Sequence, residues 1–348
     1  MIKRCITLLL YLTAGVLLVG CRPQNEAAAP DRQVINEVAL PELATQAPAS
    51  AEGSPPSILQ GIGLIGASTL DEYRGTENRG GEYAAVTFNM IEQLVILRGF
   101  NAGAWGDWDK PRRTGYEYNW ARSGATSSTM ISQGQHTGLA EQVANGDVTF
   151  VMILIGANDF GPHYRNSYTD IYEGKMSGEA LQRKIDDAID NVTLAADTVL
   201  EAGALDVAVA LFPHWHLEPS IAEKYPDAAR RQRVEDAIDQ VNEGIEAMAE
   251  DRGLIVIDPD AFGLTLLAQL DGNGFLNFGG ELIDFINRDD EPHHARLADD
   301  AGHTGTVLSG LMANYYFIEP LNATHNTNIP PLSSEEILSL AGIRPTQK

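Results

Sequence analysis

The chain has 348 residues, 48 of them acidic against 24 basic, for a formal net charge of −24. Such an acidic balance argues against nucleic acid or an anionic surface as a partner, because long-range repulsion would oppose either encounter. The length is enough for one large domain with a sizeable core.

The first residues place Lys3 and Arg4 before an apolar run from Ile6 to Val19, followed by Gly20 and Cys21. This order of basic, apolar and small residues is that of a signal peptide, and the run is shorter than the ~20 residues needed to span a bilayer. Leu18-Val19-Gly20-Cys21 resembles the lipobox of bacterial lipoproteins. The resemblance implies a signal peptide over residues 1–20, cleavage before Cys21 and lipid on Cys21. The protein is then expected to be exported and held by that lipid on the membrane, on its periplasmic or cell-surface side. Apart from Cys21 the only cysteine is Cys5, so cleavage would leave no disulfide to form. Residues 21–57 are rich in Ala, Pro, Glu and Gln without a sustained apolar period, and are expected to be a disordered tether.

From residue 58 to 348 the sequence alternates short apolar runs with longer stretches of helical period. That alternation predicts an α/β fold of three αβα layers, with a parallel sheet covered by helices on both faces. The expected strands are Ile58 to Ile65, a second leading into Asn119 to Arg122, Val148 to Ile155, Val207 to Phe212 and Leu254 to Ile257. Helices are expected over about Glu82 to Leu97, Glu179 to Ala202, Ala228 to Arg252 and Val307 to Ile318. Asp258 to Pro292 has no clear period and is expected to be an irregular insertion. A flavodoxin-like strand order of 2-1-3-4-5, with about five strands, would set Ser68 and Asn158 on either side of the crevice at the switch point.

Gly66-Ala67-Ser68 stands where the first strand runs out, so the serine hydroxyl is presented at the carboxyl edge of the sheet. Three further blocks follow in order: Asn119-Trp120-Ala121-Arg122-Ser123-Gly124-Ala125, Gly156-Ala157-Asn158-Asp159 and Asp300-Ala301-Gly302-His303. Together they resemble the blocks of the SGNH/GDSL hydrolase superfamily, over essentially all of residues 58 to 320. The resemblance implies a catalytic triad of Ser68, Asp300 and His303. It also implies an oxyanion hole formed by the backbone N–H groups of Ser68 and Gly124 and the side-chain amide of Asn158. Each role has a physical reason. A serine hydroxyl needs an adjacent base, and imidazole titrates near neutrality. An acid on the other ring nitrogen fixes the tautomer, and fixed donors stabilise the developing oxyanion. The family would carry an aspartate where Ala67 stands; that aspartate is not the triad acid, so its absence bears on how the serine turn is held.

Phe212-Pro213-His214-Trp215-His216 follows the fourth expected strand, so His214, Trp215 and His216 are candidate substrate contacts, as is Arg122 within the second block. Arg74 and Arg79 lie in a charged loop beyond Ser68. His293 and His294 with Asp289, Asp290 or Glu291 lack a fixed ligand spacing, and Asp271-Gly272-Asn273-Gly274 lacks the later ligands of a calcium loop. No metal or other cofactor is expected. The expected activity is ester hydrolysis through an acyl-enzyme on Ser68. From the resemblance and the cell-surface address, O-acetyl groups of carbohydrates are the expected substrate. A short-chain lipid esterase or lysophospholipase, an inactive surface binding protein and an acyltransferase are the alternatives on the same residues.

Overall fold

The computed structural model describes residues 60–163, 166–204 and 206–344. The expected signal peptide, Cys21 and the tether over 21–57 lie outside the described residues. Everything described falls in one compact unit, Ala44–Lys348.

Four strands pair in parallel in the order β1, β4, β5, β6: β1 (Ile62–Gly66), β4 (Phe150–Leu154), β5 (Asp206–Ala210) and β6 (Ile255–Ile257). Their side chains alternate between two cores, as the two-residue period of a strand requires. Val151, Ile153, Val207 and Val209 face one cluster, and Phe150, Met152, Ala208 and Ala210 the other. On the first face α6 (Gly178–Glu201) packs against β4, β5, α3 (Gln135–Ala144) and α8 (Ala228–Arg252). On the second, α1 (Met90–Arg98) packs against α10 (Thr306–Ala313), which also meets α12 (Ser334–Leu340). Both faces are therefore dry, which is why the strands read as nearly unbroken apolar runs.

The second expected strand is reduced to a single parallel bridge between Leu64 and Asn119. Leu64 N–H donates to Tyr118 O at 3.0 Å, and Trp120 N–H donates to Leu64 O at 2.9 Å. This segment lies along the side of β1 that β4 does not use, so the spatial order 2-1-3-4-5 holds with the second expected strand shortened to that bridge. A two-residue ribbon of β2 (Trp105–Gly106) and β3 (Gly115–Tyr116) precedes it.

The helix expected over Glu82 to Leu97 is interrupted. A 3-10 turn covers Gly81–Val86, and α1 restarts at Met90 because Asn89 and Glu92 form a capping box. In that box Asn89 Oδ1 accepts from Glu92 N–H at 2.9 Å and Asn89 N–H donates to Glu92 Oε2 at 2.8 Å. The helix expected to run to Ile318 is α-helical only to Ala313; Asn314–Ile318 widens to a π turn and α11 (Glu319–His325) follows. Residues 258–292, expected to be irregular, are ordered. They form α9 (Pro259–Leu267), begun by a Pro259 that needs no N–H there, and an antiparallel pair of β7 (Phe275–Phe278) and β8 (Glu281–Arg288), to which β9 (His294–Arg296) adds in parallel. Among the described residues no helix is long and apolar enough to cross a membrane.

Candidate active site

Short helices and turns at the carboxyl edge of the sheet carry the site: α2 (Ser127–Ser132), α4 (Ala157–Phe160) and α5 (Ser167–Tyr172) leave the edge there, and α7 (Pro219–Lys224) follows β5. Ser68 sits in the turn that ends β1. Gly66 N–H donates to Gln135 Oε1 at 2.9 Å, Ala67 N–H reaches Leu154 O at 3.3 Å, and Ala67 O accepts from Leu70 and Asp71 N–H, each at 3.1 Å. The half-buried Ser68 is thus at the corner of a turn closed by backbone bonds. Ala67 itself is packed into the core, where an aspartate would bury a charge among apolar groups. Asp71, four residues on, supplies the carboxylate that ties this turn to the next block. It accepts from Ser123 N–H at 2.7 Å and pairs with Arg113 at 3.0 Å. Burial nevertheless raises its pKa above the ordinary value, against the pull of Arg113 and that bond.

Gly124 follows with φ 78°, a left-handed conformation that glycine adopts without steric cost. Asn158 Nδ2 donates to Ala125 O at 2.9 Å, so the third block is latched onto the residue next to Gly124. A primary amide carries two hydrogens, and the second remains for a ligand. Asn158 stands in the first turn of α4, after Gly156 with φ 108°; a Cβ there would come within 2.3 Å of the Phe212 ring. Asp159 bolts the same turn down, accepting from Ser127 N–H at 2.9 Å and Ser127 Oγ at 2.8 Å.

The carboxylate against His303 is that of Asp299, not Asp300. His303 Nδ1 lies 2.7 Å from Asp299 Oδ2, and His303 N–H donates to Asp299 Oδ1 at 3.2 Å. The segment is a loop closed by Gly302 N–H to Asp299 O at 2.9 Å and Leu297 N–H to His303 O at 2.7 Å, which folds position 299 back onto the imidazole. Asp300 is exposed, and its backbone oxygen accepts from Arg288 at 3.4 Å. Burial alone would raise the Asp299 pKa, but the His303 bond and charge, with Arg79 nearby, hold it far below the ordinary carboxylate range.

Arg79, singled out in the sequence only as a loop charge, joins the two sides of the site. Its Nη1 is 2.9 Å from His303 Nδ1 and 3.2 Å from Asp299 Oδ2, and its Nη2 donates to Ser123 Oγ at 2.8 Å. A guanidinium has no acceptor, so Nδ1 has two exclusive states. With Nδ1–H donating to Asp299, Nε2 is left as a base and Arg79 Nη1 bonds only the Asp299 carboxylate. With Arg79 donating to Nδ1, the proton moves to Nε2. The first state is the one suited to accept a proton from a serine.

Arg122 does not face a ligand. It is 5% exposed, its Nε donates to Pro111 O and its Nη1 to Ala121 O, and burial pulls its pKa down to about 10. It braces the second block from behind. His214 and Trp215 line the cavity described below, whereas His216 is exposed and lies 3.3 Å from Glu235. His214 Nδ1 bonds Asp260 and its Nε2 is 3.1 Å from Asp239. Burial works to lower the His214 pKa, but these carboxylates outweigh it and raise the value. His293 and His294 pair with Glu291 in the insertion, and no cluster of three or more metal-ligating side chains occurs among the described residues.

A cavity of about 280 Å³ adjoins these groups. Ala67 and Thr69, on either side of Ser68, line it together with Ala157 beside Asn158 and Thr304 beside His303. The serine turn, the third block and the residue after His303 therefore border one space, and the second block is tied to them through Asn158 on Ala125 and Asp71 on Ser123.

No curated protein matches the sequence significantly. Solved structures that resemble the chain include the acetylxylan esterase Axe2 from Geobacillus stearothermophilus, at 15% identity over 75% of this chain and 93% of that one, with a TM-score of 0.40. An extracellular lipase from Streptomyces rimosus is 17% identical over 75% of this chain and 98% of its own, with a TM-score of 0.39. The model of the GDSL-like lipase/acylhydrolase family matches residues 76–303, about two thirds of the chain, from the loop beyond Ser68 to His303 itself. The chain belongs to the GDSL-like lipase/acylhydrolase family.

Proposed function

We propose that the protein is a serine esterase in which Ser68 is the nucleophile, His303 the general base and Asp299 the acid that orients it. His303 Nε2 takes the Ser68 proton as the hydroxyl oxygen attacks the ester carbonyl. The negative oxygen of the tetrahedral intermediate is met by Ser68 N–H, Gly124 N–H and Asn158 Nδ2. Collapse expels the alcohol, which takes the proton from His303, and water then releases the acid by the same path. The observation that carries this reading is the His303–Asp299 pair, 2.7 Å apart, directly before Thr304, which lines the same cavity as Ala67 and Thr69 on either side of Ser68. Family membership supports acyl hydrolysis, and its matched span reaches His303.

Turnover of short p-nitrophenyl esters by the wild type, Ser68→Ala and His303→Ala proteins tests it. Loss of roughly 10⁴-fold or more in kcat in both variants is expected, since members of such a unit fail together. Equal turnover in all three would overturn the assignment. The lipobox-like Leu18-Val19-Gly20-Cys21 supports a lipid anchor on Cys21 and an exported location. Cys21→Ser protein recovered from cells without bound fatty acid, beside a lipidated wild type, is the expected result.

A further inference from the structure

The expectation of an acetylated carbohydrate leaves most of the cavity without an occupant, and the composition of its wall is the reason. Away from Ser68 the wall is built by Phe262 and Leu266 of α9, Phe285 of β8, and Leu308 and Met312 of α10. The charged groups in the wall are already engaged with each other: His214 bonds Asp260, and Arg296 pairs with Glu218. A sugar ring would bring several hydroxyls to a surface with few unpaired partners, and a polar group buried without a partner is costly. The mouth is apolar as well. Leu267 and Ile286 both line the cavity, yet are 42% and 58% exposed. No residue of α9 is fully buried, although Phe262, Leu264, Leu266 and Leu267 make most of its length apolar. An apolar helix left half open over a cavity beside the nucleophile is unfavourable unless something apolar covers it.

We propose that this cavity receives the acyl chain of the substrate, so that the preferred esters are those of medium and long aliphatic acids. The proposal rests on the reading of Ser68 as the nucleophile. The carbonyl then sits among Ser68, Gly124 and Asn158, and the chain runs past Thr69 and Thr304 between α9 and α10. The insertion 258–292 is on this view the chain-length selector, since it supplies α9 and β8 to a wall the sheet alone does not complete. Each methylene transferred from water is worth a factor of about four in kcat/KM while the cavity still has room.

The test is a series of p-nitrophenyl acetate, butyrate, octanoate and decanoate with the purified full-length protein. The ratio of octanoate to acetate kcat/KM is expected to exceed about tenfold, from only a few buried methylenes. Leu266→Trp, which fills the cavity, and Leu267→Glu, which makes the mouth anionic at an exposed position where folding is not at stake, should each lower that ratio by about tenfold or more. Phe262→Ala should move the optimum toward decanoate. Turnover that depends on Ser68 but is fastest on acetate, with the ratio unmoved in both variants, would overturn the acyl-chain site and leave the nucleophile standing. If no ester is turned over in a Ser68-dependent way, it is the nucleophile that falls. Calorimetry with decanoate then decides the cavity alone: binding to the Ser68→Ala protein that is weakened by Leu267→Glu supports it, and no binding overturns it.

Discussion

The two sides of the site are held by different forces. Around Ser68, Gly124 and Asn158 the chain is fixed by backbone hydrogen bonds, buried polar side chains and close approaches such as Gly156 against Phe212. Around His303 backbone bonds close the loop, but the imidazole itself is held by charge: Asp299, Arg79 and Glu77 form a chain of ion pairs that are only partly buried. The first side is rigid because moving it would strand buried polar groups. The second is adjustable, because His303 Nδ1 has two competing partners. The difference suits the chemistry, since an oxyanion hole works by not reorganising while a base must exchange its proton twice in each turnover.

The largest effect should come from the charged side. Asp299→Asn leaves the geometry but favours the wrong imidazole tautomer, and kcat is expected to fall by roughly 10³–10⁴-fold. Asp300→Asn, at the exposed neighbour, should leave steady-state kinetics close to wild type. The reverse order would break the assignment of Asp299. Next comes Asn158→Ala, which removes an oxyanion donor and should lower kcat by about 10²–10³-fold with little change in KM. A loss confined to KM would move Asn158 from the transition state to ground-state binding.

The rigid side is sharpened by stability measurements. Gly156→Ala adds a Cβ 2.3 Å from the Phe212 ring at φ 108°, and urea unfolding should show a loss of at least about 2 kcal/mol. The smallest effect is on pH dependence. Glu72 accepts from Tyr116 N–H at 2.9 Å and Asn119 Nδ2 at 2.8 Å behind the second block, and burial pushes its pKa up to about 8. A carboxyl raised in the folded state binds its proton more tightly there than when unfolded. Its contribution is therefore full below the ordinary glutamate pKa and is lost as pH rises toward 8. Glu72→Gln keeps an acceptor oxygen, and its thermal midpoint should fall less than that of the wild type between about pH 5 and 8.

Much of the framework was legible in the residues. The runs that became β4 and β5 are uninterrupted because both faces are buried, and α8 begins and ends where its apolar period and Gly253 place it. The order of Ser68, Gly124, Asn158 and His303 on one edge followed from the same reading. What escaped it depends on contacts distant in sequence. The second strand fades to one bridge at Asn119. α1 restarts at Asn89 through a capping box hidden inside an otherwise helical period. Asp299 and Asp300 are chemically identical neighbours, and only the fold of the loop through Gly302 selects the first. Arg122 looks like a substrate contact two residues before Gly124, yet it is buried, with Nε and Nη1 on backbone oxygens. The insertion shows no clean period because the apolar residues of α9 are only partly buried, Phe262 and Leu266 against the core with Leu264 and Leu267 exposed, and β8 buries only Ile283 and Asp284.

The central claim is that Ser68 is the nucleophile and His303 its base. Treatment with a fluorophosphonate, followed by peptide mapping, tests it most directly. One adduct is expected, on Ser68, formed at least about 10³-fold more slowly in His303→Ala. An adduct on another residue, or none in a protein that still hydrolyses esters, would contradict it.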